Sequence, residues 1–386
     1  MHEHGELAST SPYYTPEHEA FRATVRRFVE REIAPHVDEW DEAETFPREL
    51  YRKAAEIGLL PLGFPEEYGG VPGDLFYAIV AMQELARSGS GGVCAGLMSH
   101  IIGAPPIART GSDALKARVL PEILAGEKIS ALAITEPSGG SDVANLRTTA
   151  RREGDHYVVN GAKMFITSGM RADYYTVAVR TGGEGMGGIS LLLVEKGTPG
   201  FTQTLLKKMG WWASDTAALY FDDCRVPREN LIGEENQGFH AIMLNFNAER
   251  IHLAAGATGF ARVCLEESIA YARDRVTFGR PLITRQVIRH KIVDMAQRVN
   301  ATQAYLESLA WRIERGDSPI AEICMLKNQA TQTMEFCARE ALQIFGGAGY
   351  MRGTKVERIY REVRVNAIGG GSEEIMKDLA ARQMGL

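Results

Sequence analysis

A polar loop with two glycines is the segment of this sequence best suited to hold a ligand. Residues 135–142 read Thr-Glu-Pro-Ser-Gly-Gly-Ser-Asp and follow the apolar run at 129–134. The proline lacks a backbone donor and the glycines permit positive φ, so backbone N–H groups can approach a ligand closely. Its two carboxylates disfavour a phosphate, whereas the hydroxyls of Thr135 and Ser141 suit a neutral, flat, polar partner. An ordinary tight turn is the alternative interpretation.

Three further segments carry side chains that could bind or react, although none is decisive alone. Residues 165–169 read Phe-Ile-Thr-Ser-Gly, residues 275–281 read Arg-Val-Thr-Phe-Gly-Arg-Pro, and residues 343–350 read Gln-Ile-Phe-Gly-Gly-Ala-Gly-Tyr. A phenylalanine in a strand-rich region fits a β core as well as a ligand contact. The guanidinium of Arg275 suits paired phosphate oxygens, but it also fits a solvated helix end.

Hydrophobic periodicity divides the chain into three parts that must position these segments. Residues 16–130 repeat apolar side chains at helical spacing, residues 131–235 contain short runs rich in β-branched and aromatic residues, and residues from 238 onward are helical again. We predict helices at 48–57, 75–88, 113–124, 239–273, 285–315 and 319–345, and strands at 157–159, 174–179, 189–194 and 217–221. The order predicts an α+β fold with a middle β domain.

Two local motifs in the β region affect this prediction. Asn160-Gly161 is a strong signal for a hairpin turn. Residues 183–188 match the glycine pattern of a dinucleotide-binding loop, but a strand follows where that loop needs a helix. We therefore expect a flexible connection between strands there and no dinucleotide-binding domain of that type.

Composition excludes several function classes. The chain has 386 residues and a net charge of -6, so the broad basic surface typical of nucleic-acid binding is absent. No apolar run approaches the roughly 20 residues of a membrane span, and residues 1–6 are polar and acidic. The five cysteines are scattered without metal-ligand spacing, so we expect no metal site and a reducing, cytoplasmic location.

Taken together, the four segments and the helical–β–helical order resemble the acyl-CoA dehydrogenase family of flavoenzymes from about residue 16 onward. The resemblance implies an N-terminal helical domain (1–130), a middle β-barrel or sandwich domain (131–236) and a C-terminal four-helix bundle (237–386). It also implies FAD as cofactor, an acyl-CoA substrate, an electron-transferring flavoprotein as electron acceptor, and a homotetramer.

The same resemblance implies which residues hold FAD. The first loop and Phe165 would line the isoalloxazine ring, with Phe165 where most members have tryptophan. Arg275 would bind the pyrophosphate across a subunit boundary. The implied cofactor contacts are Leu132, Ile134, Thr135, Gly140, Ser141, Phe165, Ile166, Thr167, Arg275, Phe278, Gln286, Gln343, Ile344, Gly346, Gly347, Ser372 and Glu374.

The catalytic base is the point at which this chain departs from the best-known members. Desaturation of an acyl thioester needs a base for the α-proton, usually a carboxylate whose pKa is raised by burial. The usual glutamate position near the C-terminus is Gly370 here. Long-chain and isovaleryl members instead place a glutamate before an arginine on a mid-chain helix, which corresponds to Glu249. We predict Glu249 as the base, with Glu373 and Glu374 as rivals.

The substrate contacts follow from the same resemblance. Ser141, Asn247, Arg250, Gly370 and Gly371 match positions that bind the CoA arm or the thioester, with asparagine replacing the usual aspartate at 247. A backbone N–H near Gly370 would polarise the thioester carbonyl. Trp211-Trp212 could face the cofactor or another subunit, but buried packing is the favoured interpretation.

Several alternatives stay open at this point. An acyl-CoA oxidase, a reduced-flavin monooxygenase and a DNA-binding relative share this type of fold. Small residues (Gly89, Gly91, Gly92, Ala95 and Gly96) suggest room for an acyl chain. Chain length and branching do not follow from the sequence.

Overall fold

The N-terminal part of the protein is helical, as predicted. The computed structural model describes residues 11–386. Asp74 caps α4 by accepting hydrogen bonds from the N–H groups of Phe76 and Tyr77. The α-helices of this part are α1 (Pro16–Phe28), α2 (Val37–Glu42), α3 (Glu49–Glu56), α4 (Leu75–Ala86), α5 (Gly91–Leu97), α6 (His100–Gly103), α7 (Pro105–Thr110) and α8 (Asp113–Leu124).

The middle part forms one eight-stranded sheet, with neighbours in the order β6-β7-β3-β2-β4-β5-β8 and β1 pairing with β4. Its strands are β1 (Ser130–Ala133), β2 (Thr149–Glu153), β3 (His156–Thr167), β4 (Tyr174–Arg180), β5 (Ile189–Glu195), β6 (Phe201–Leu205), β7 (Thr216–Pro227) and β8 (Leu231–Ile232). β2 and β4 share only the pair Thr149 and Arg180. The sheet therefore consists of two halves joined at one point, and all four predicted strands lie within it.

The predicted hairpin turn at Asn160-Gly161 is wrong. Both residues lie inside β3, where the pairing with β7 shifts register between Val159 and Gly161. Gly161 has φ +145, and a side chain there would meet Thr148 at 2.7 Å, so the glycine allows a bulge in a long strand. The turn between β2 and β3 is instead made by residues 154 and 155.

The C-terminal part is built from long helices. They are α9 (Gly238–Asp274), α10 (Gln286–Ile313), α11 (Ile320–Phe345), α12 (Lys355–Ile368) and α13 (Glu373–Gln383), with a small ribbon of β9 (Val276–Thr277) and β10 (Arg280–Pro281) after α9. α11 packs against α9, α10, α12 and α13. Helices α9 to α12 form the expected four-helix bundle, and α13 adds a fifth helix.

Residues 183–188 connect β4 and β5, which pair antiparallel, so they belong to a connection between strands as predicted. All five cysteines are buried and free. Between residues 11 and 386, no single helix is long and apolar enough to cross a membrane. One bent pair, Gly91–Leu97 with His100–Thr110, meets that length and composition jointly at an angle of 46°.

Candidate active site

The loop at 135–142 is anchored by a buried ion pair. The Lys163 ammonium on β3 lies 2.8 Å from Glu136 Oε1 and also donates to the Ile134 carbonyl at 3.1 Å. The same carboxylate accepts hydrogen bonds from the backbone N–H groups of Arg147 and Thr148. The loop is therefore fixed from below by charge-assisted bonds.

Burial and pairing act against each other in this ion pair. Burial by itself raises the pKa of Glu136, but Lys163 and the backbone donors outweigh it and lower this pKa to about 2. Burial lowers the pKa of Lys163 to about 8, although Glu136 opposes that change. Since Glu136 has several donors and Lys163 keeps a pKa above 7, both groups are charged at neutral pH.

The upper face of this loop is open and adjoins Phe165. Thr135 O accepts a hydrogen bond from Met164 N at 2.8 Å, which places the loop beside β3. Phe165 has φ +63 and is 68% exposed, an arrangement that is costly for an aromatic residue without a partner. Gly140 and Ser141 are also exposed. Loop and ring thus form an exposed, partly apolar surface, here called the platform, which also carries backbone and hydroxyl groups.

The remaining predicted contacts of the first loop lie beneath or beside this platform. Ile134 and Ile166 are buried, whereas Leu132 and Thr167 are partly buried. Ile134 and Ala241, at the start of α9, belong to the same hydrophobic core cluster. The residue before the loop and the helix that carries Glu249 therefore share one core.

Glu249 and Gly370 meet at one place, although they come from distant parts of the chain. A Cβ atom built on Gly370 would lie 3.8 Å from Glu249 Oε1. Gly370 has φ +66, which favours glycine at this position. The same Cβ would lie 2.5 Å from Leu253 Cδ1, so a side chain at position 370 would displace Leu253 and enter the space beside the Glu249 carboxylate.

The environment of Glu249 suits a general base. Burial raises the pKa of this carboxyl to about 7, and the positive charges of Arg250 and Lys327 partly counteract the increase. The side chain still has some solvent-exposed surface, so a ligand can reach it. A base with a pKa near neutrality can both accept and release a proton under physiological conditions.

Two cations hold the loop that faces Glu249, here called the Gly370 loop (residues 369–371). Arg250 Nε donates to Gly370 O at 3.2 Å, and Arg250 Nη1 donates to Asn247 Oδ1 at 2.9 Å. The Lys327 ammonium donates to Ala367 O at 3.2 Å and to Gly371 O at 2.7 Å. Asn247 therefore accepts a hydrogen bond from Arg250, and both residues belong to the predicted substrate contacts.

Lys327 is a site residue that the sequence reasoning missed. Its side chain is fully buried in α11. The available signal was a single lysine within the apolar run Ile-Cys-Met-Leu-Lys at 323–327. A lysine is almost never fully buried unless it is paired.

The rival carboxylates lie at the start of α13. Ser372 caps this helix by accepting from Ile375 N, and Glu373 Oε2 accepts from Gln332 Nε2 at 3.1 Å. The exposed Glu374 has its pKa lowered by its own backbone N–H and by Ser372. Both glutamates therefore open the last helix as predicted, and a lowered pKa makes Glu374 a weaker base than Glu249.

The remaining predicted cofactor contacts form a separate group, here called the distal cluster (Arg275, Phe278, Gln286, Gln343, Ile344, Gly346 and Gly347). Stacking of Tyr271 on Phe345, with ring centroids 4.1 Å apart, joins the ends of α9 and α11. All members except the buried Ile344 are exposed. Gly346 has φ +59 with open space around its Cβ position.

The distal cluster is far from the base within one chain. Glu249 and Arg275 lie 26 positions apart, with Arg275 directly after the end of the continuous helix α9. At about 1.5 Å per residue, they are separated by roughly 39 Å. Within one chain, the distal cluster is therefore well separated from Glu249.

The suggested space around the small residues of α5 is filled. A Cβ at Gly91 would lie 2.3 Å from Trp211 Nε1, and one at Gly96 would lie 2.8 Å from the Phe46 ring. Similar contacts exist at Gly89 and Gly92, so the interpretation that these glycines leave room is wrong. Trp211 packs against α5, in agreement with the interpretation that this tryptophan has a packing role. A depression of about 590 Å³ between α3 and α8 contains none of the predicted site residues.

Comparison with known proteins decides the family. Models for the N-terminal, middle and C-terminal domains of acyl-CoA dehydrogenases match residues 15–127, 131–224 and 236–385. A long-chain specific acyl-CoA dehydrogenase from Sus scrofa is 37% identical, covering 96% of this chain and 87% of the relative. The chain belongs to the acyl-CoA dehydrogenase family. Members of this family are FAD flavoproteins.

Solved structures of this family superpose on the whole fold. Acyl-CoA dehydrogenase from Geobacillus kaustophilus is 37% identical with a TM-score of 0.94, covering 98% of this chain and 100% of that chain. A chain in a structure of the electron transferring flavoprotein of Acidaminococcus fermentans is 34% identical with a TM-score of 0.92. It covers 96% of this chain and 98% of that chain. The three-part fold predicted from the sequence is confirmed.

Proposed function

We propose that this acyl-CoA dehydrogenase family member catalyses FAD-dependent α,β-dehydrogenation of an acyl-CoA thioester to a trans-2-enoyl-CoA, with Glu249 as the base. The observation that supports this role is the position of Glu249 Oε1, 3.8 Å from the Cβ site of Gly370. The raised pKa of Glu249, about 7, agrees with it. Geometry at the reacting atoms, not position in the sequence, defines a catalytic role.

The open platform fits FAD. Phe165 offers an exposed aromatic face in a strained conformation, and the space around the Cβ position of Gly139 is open, so a ring edge can approach the loop closely. Thr135, Thr167 and backbone N–H groups would bond that edge, while the distal cluster would hold the diphosphate and adenosine portion. When bound, FAD supplies the hydride acceptor for the substrate β-carbon.

Residues of the chain itself carry out the other parts of the reaction. Glu249 removes the α-proton, and burial keeps its carboxyl poised near neutrality. Among the described residues, no backbone hydrogen bond outside the helices and strands engages Gly370 N. This N–H is free to donate to the thioester carbonyl as negative charge develops there. Asn247, Arg250, Gly371 and Ser141 would contact the CoA arm.

A homotetramer is part of the proposal. The separation of roughly 39 Å between Glu249 and Arg275 supports an arrangement in which the distal cluster of one chain serves the platform of another. Large apolar side chains are exposed around this cluster, with Phe278 at 96% exposure and Val287 and Tyr350 nearby in sequence. Such a patch is typical of a surface covered by a partner.

An electron-transferring flavoprotein is the proposed electron acceptor, and an acyl-CoA oxidase is the alternative. The carboxylate of Glu249 disfavours a reduced-flavin monooxygenase, which needs no base for an α-proton. The net charge of -6 disfavours a DNA-binding role.

The reaction class is tested by adding acyl-CoA thioesters of graded length and branching to the FAD-loaded protein without oxygen. We expect the flavin absorbance to bleach with at least one thioester and the enoyl product to appear. In air, a dehydrogenase should consume little oxygen until an electron-transferring flavoprotein is supplied. Rapid oxygen consumption would identify the oxidase instead, and no bleaching by any thioester would contradict the proposal.

Arg275→Ala should lower FAD retention, because the variant loses a charged donor for the diphosphate. We expect at least a tenfold weaker cofactor affinity, equal to about 1.4 kcal/mol. Flavin absorbance per chain after gel filtration measures retention, and light scattering measures the assembly. Arg273→Ala, an exposed arginine in the last turn of α9, is the control. An Arg275→Ala tetramer with full flavin content would refute the assignment.

A further inference from the structure

The buried lysine of α11 bonds both sides of the Gly370 loop. Ala367 O lies in the last turn of α12, Gly371 O precedes α13, and the Lys327 ammonium donates to both. These carbonyls lie on either side of Gly370, whose own carbonyl is bound by Arg250. Two cations therefore bind three carbonyls in and directly before this loop, those of residues 367, 370 and 371.

The free-energy cost of burying the Lys327 ammonium indicates that its hydrogen bonds to these carbonyls are important. Its side chain has no exposed surface, and burial lowers its pKa to about 8. Two carbonyls are weak compensation for a buried ammonium, since an uncharged residue of the same volume would avoid the desolvation penalty. The described residues show no salt bridge to Lys327.

We propose that Lys327 is a positioning residue for the reaction: its ammonium fixes the Gly370 loop at both ends, so that Gly370 N–H and the Glu249 carboxylate face the same thioester. The inference rests on the proposed function of Glu249. It adds a residue from a third helix to the site, one that touches neither substrate nor cofactor. Lys327 acts through the backbone it holds and through its charge.

The charge of Lys327 also acts on the base. Glu249 is influenced by two cations, Arg250 on α9 and Lys327 on α11, and the Gly370 loop that faces it contains only glycines. Lys327 in turn is influenced by Glu249, Arg250, Cys324 and by Glu373 on α13. A positive charge near Glu249 favours its carboxylate form. Removal of that charge therefore raises the pH at which the base becomes active.

The test compares Lys327→Met, Lys327→Arg and wild type as FAD-loaded proteins over a pH series. We expect kcat/KM to fall about 100-fold in Lys327→Met, mainly through kcat, because the Gly370 donor acts as charge develops on the carbonyl. The acidic limb of its pH profile should move upward by about one pH unit. Lys327→Arg keeps the charge and should restore the wild-type limb. Lys377→Met, an exposed lysine on α13, should leave both quantities unchanged.

A second readout does not depend on turnover. Infrared pH titration of the Glu249 carboxyl, assigned by its loss in Glu249→Gln, should show the same upward movement in Lys327→Met. If Lys327→Met does not fold, Lys327→Gln, which keeps amide donors without the charge, replaces it. An unchanged titration midpoint together with an unchanged kcat would overturn the role of Lys327. Turnover that does not depend on Glu249 would instead overturn the proposed function.

Discussion

Glu249→Gln should lower the rate of flavin bleaching by acyl-CoA about 1,000-fold while leaving FAD content and ligand binding close to wild type. General bases contribute about 10²- to 10⁴-fold to such reactions, and the amide cannot accept the α-proton. The change is nearly isosteric, and Glu249 makes no hydrogen bond to another described residue that the amide would break. Stopped-flow absorbance measures the rate, and titration with a non-reactive thioester measures binding.

The rival carboxylates provide matched controls. Glu373→Gln and Glu374→Gln should bleach at rates close to wild type, since their side chains open α13. A double variant, Glu249→Gly with Gly370→Glu, tests the geometry more directly. It should recover part of the lost rate, because the new carboxylate starts from the Cβ site 3.8 Å from Glu249 Oε1. Full recovery is not expected, because position 370 has φ +66 and its Cβ would lie 2.5 Å from Leu253 Cδ1, which must move aside. Undiminished flavin bleaching in Glu249→Gln would contradict the assignment of Glu249 as the base.

The sequence predicted long, regular elements well because their signals are local. The 3.6-residue period placed α8 at 113–124 to the residue and α9 within one residue at each end. The predicted helix at 75–88 ends at Ala86, within the usual uncertainty of helix ends. Periodicity repeats over many residues, so one exception does not change the result.

Errors arose where distant residues override a local preference. Asn160-Gly161 favours a turn, but pairing of β3 with β7 on both sides extends the strand through it. The sequence shows that α5 contains glycines, but it does not show which residues fill the space beside them. Those residues, Trp211 and Phe46, come from other parts of the chain. Lys327 was missed for the same reason, since its carbonyl partners lie about 40 positions further on.

The prediction of the candidate base used both a local pattern and a relation between distant residues. Its identification used a resemblance that linked the empty position 370 with Glu249, more than a hundred residues apart. The structure adds the distance that makes the exchange physically reasonable. The reactivity of Glu249 depends on the burial of its carboxyl group, and no local sequence pattern indicates that burial.

Lys163→Met should destabilise the middle part of the protein by about 3–5 kcal/mol, the usual cost of breaking a buried ion pair by removing one partner. The variant leaves the Glu136 carboxylate buried with only backbone and hydroxyl donors. Calorimetry at pH 7 should show a lower Tm, and the displaced 135–142 loop should hold less flavin. Lys196→Met serves as the control and should have a much smaller effect, because the side chain of this exposed lysine directly after β5 makes only one hydrogen bond to the described residues, a solvent-exposed one to Met170 O.

The pH dependence separates loss of the ion pair from a general packing defect. In wild type the pKa of Glu136 is lowered to about 2, so its stabilisation is present above the ordinary value of 4.5 and is lost as pH falls toward 2. In Lys163→Met the cation that lowers the pKa of Glu136 is gone, so this pKa rises above its wild-type value. The variant therefore loses less stability than wild type as pH falls, and the difference in Tm should shrink from pH 7 toward acidic pH.

A second substitution isolates the cause. Replacing both partners, Glu136→Leu with Lys163→Met, removes the unpaired charge and should recover most of the lost stability, since apolar replacement of both members of a buried pair is often nearly neutral. The backbone donors of Arg147 and Thr148 then lose their acceptor, so a residual cost of about 1–3 kcal/mol should remain. A Tm difference that is the same at every pH, or a double variant no more stable than Lys163→Met, would show that Lys163 acts through packing and that the loop is not held by charge.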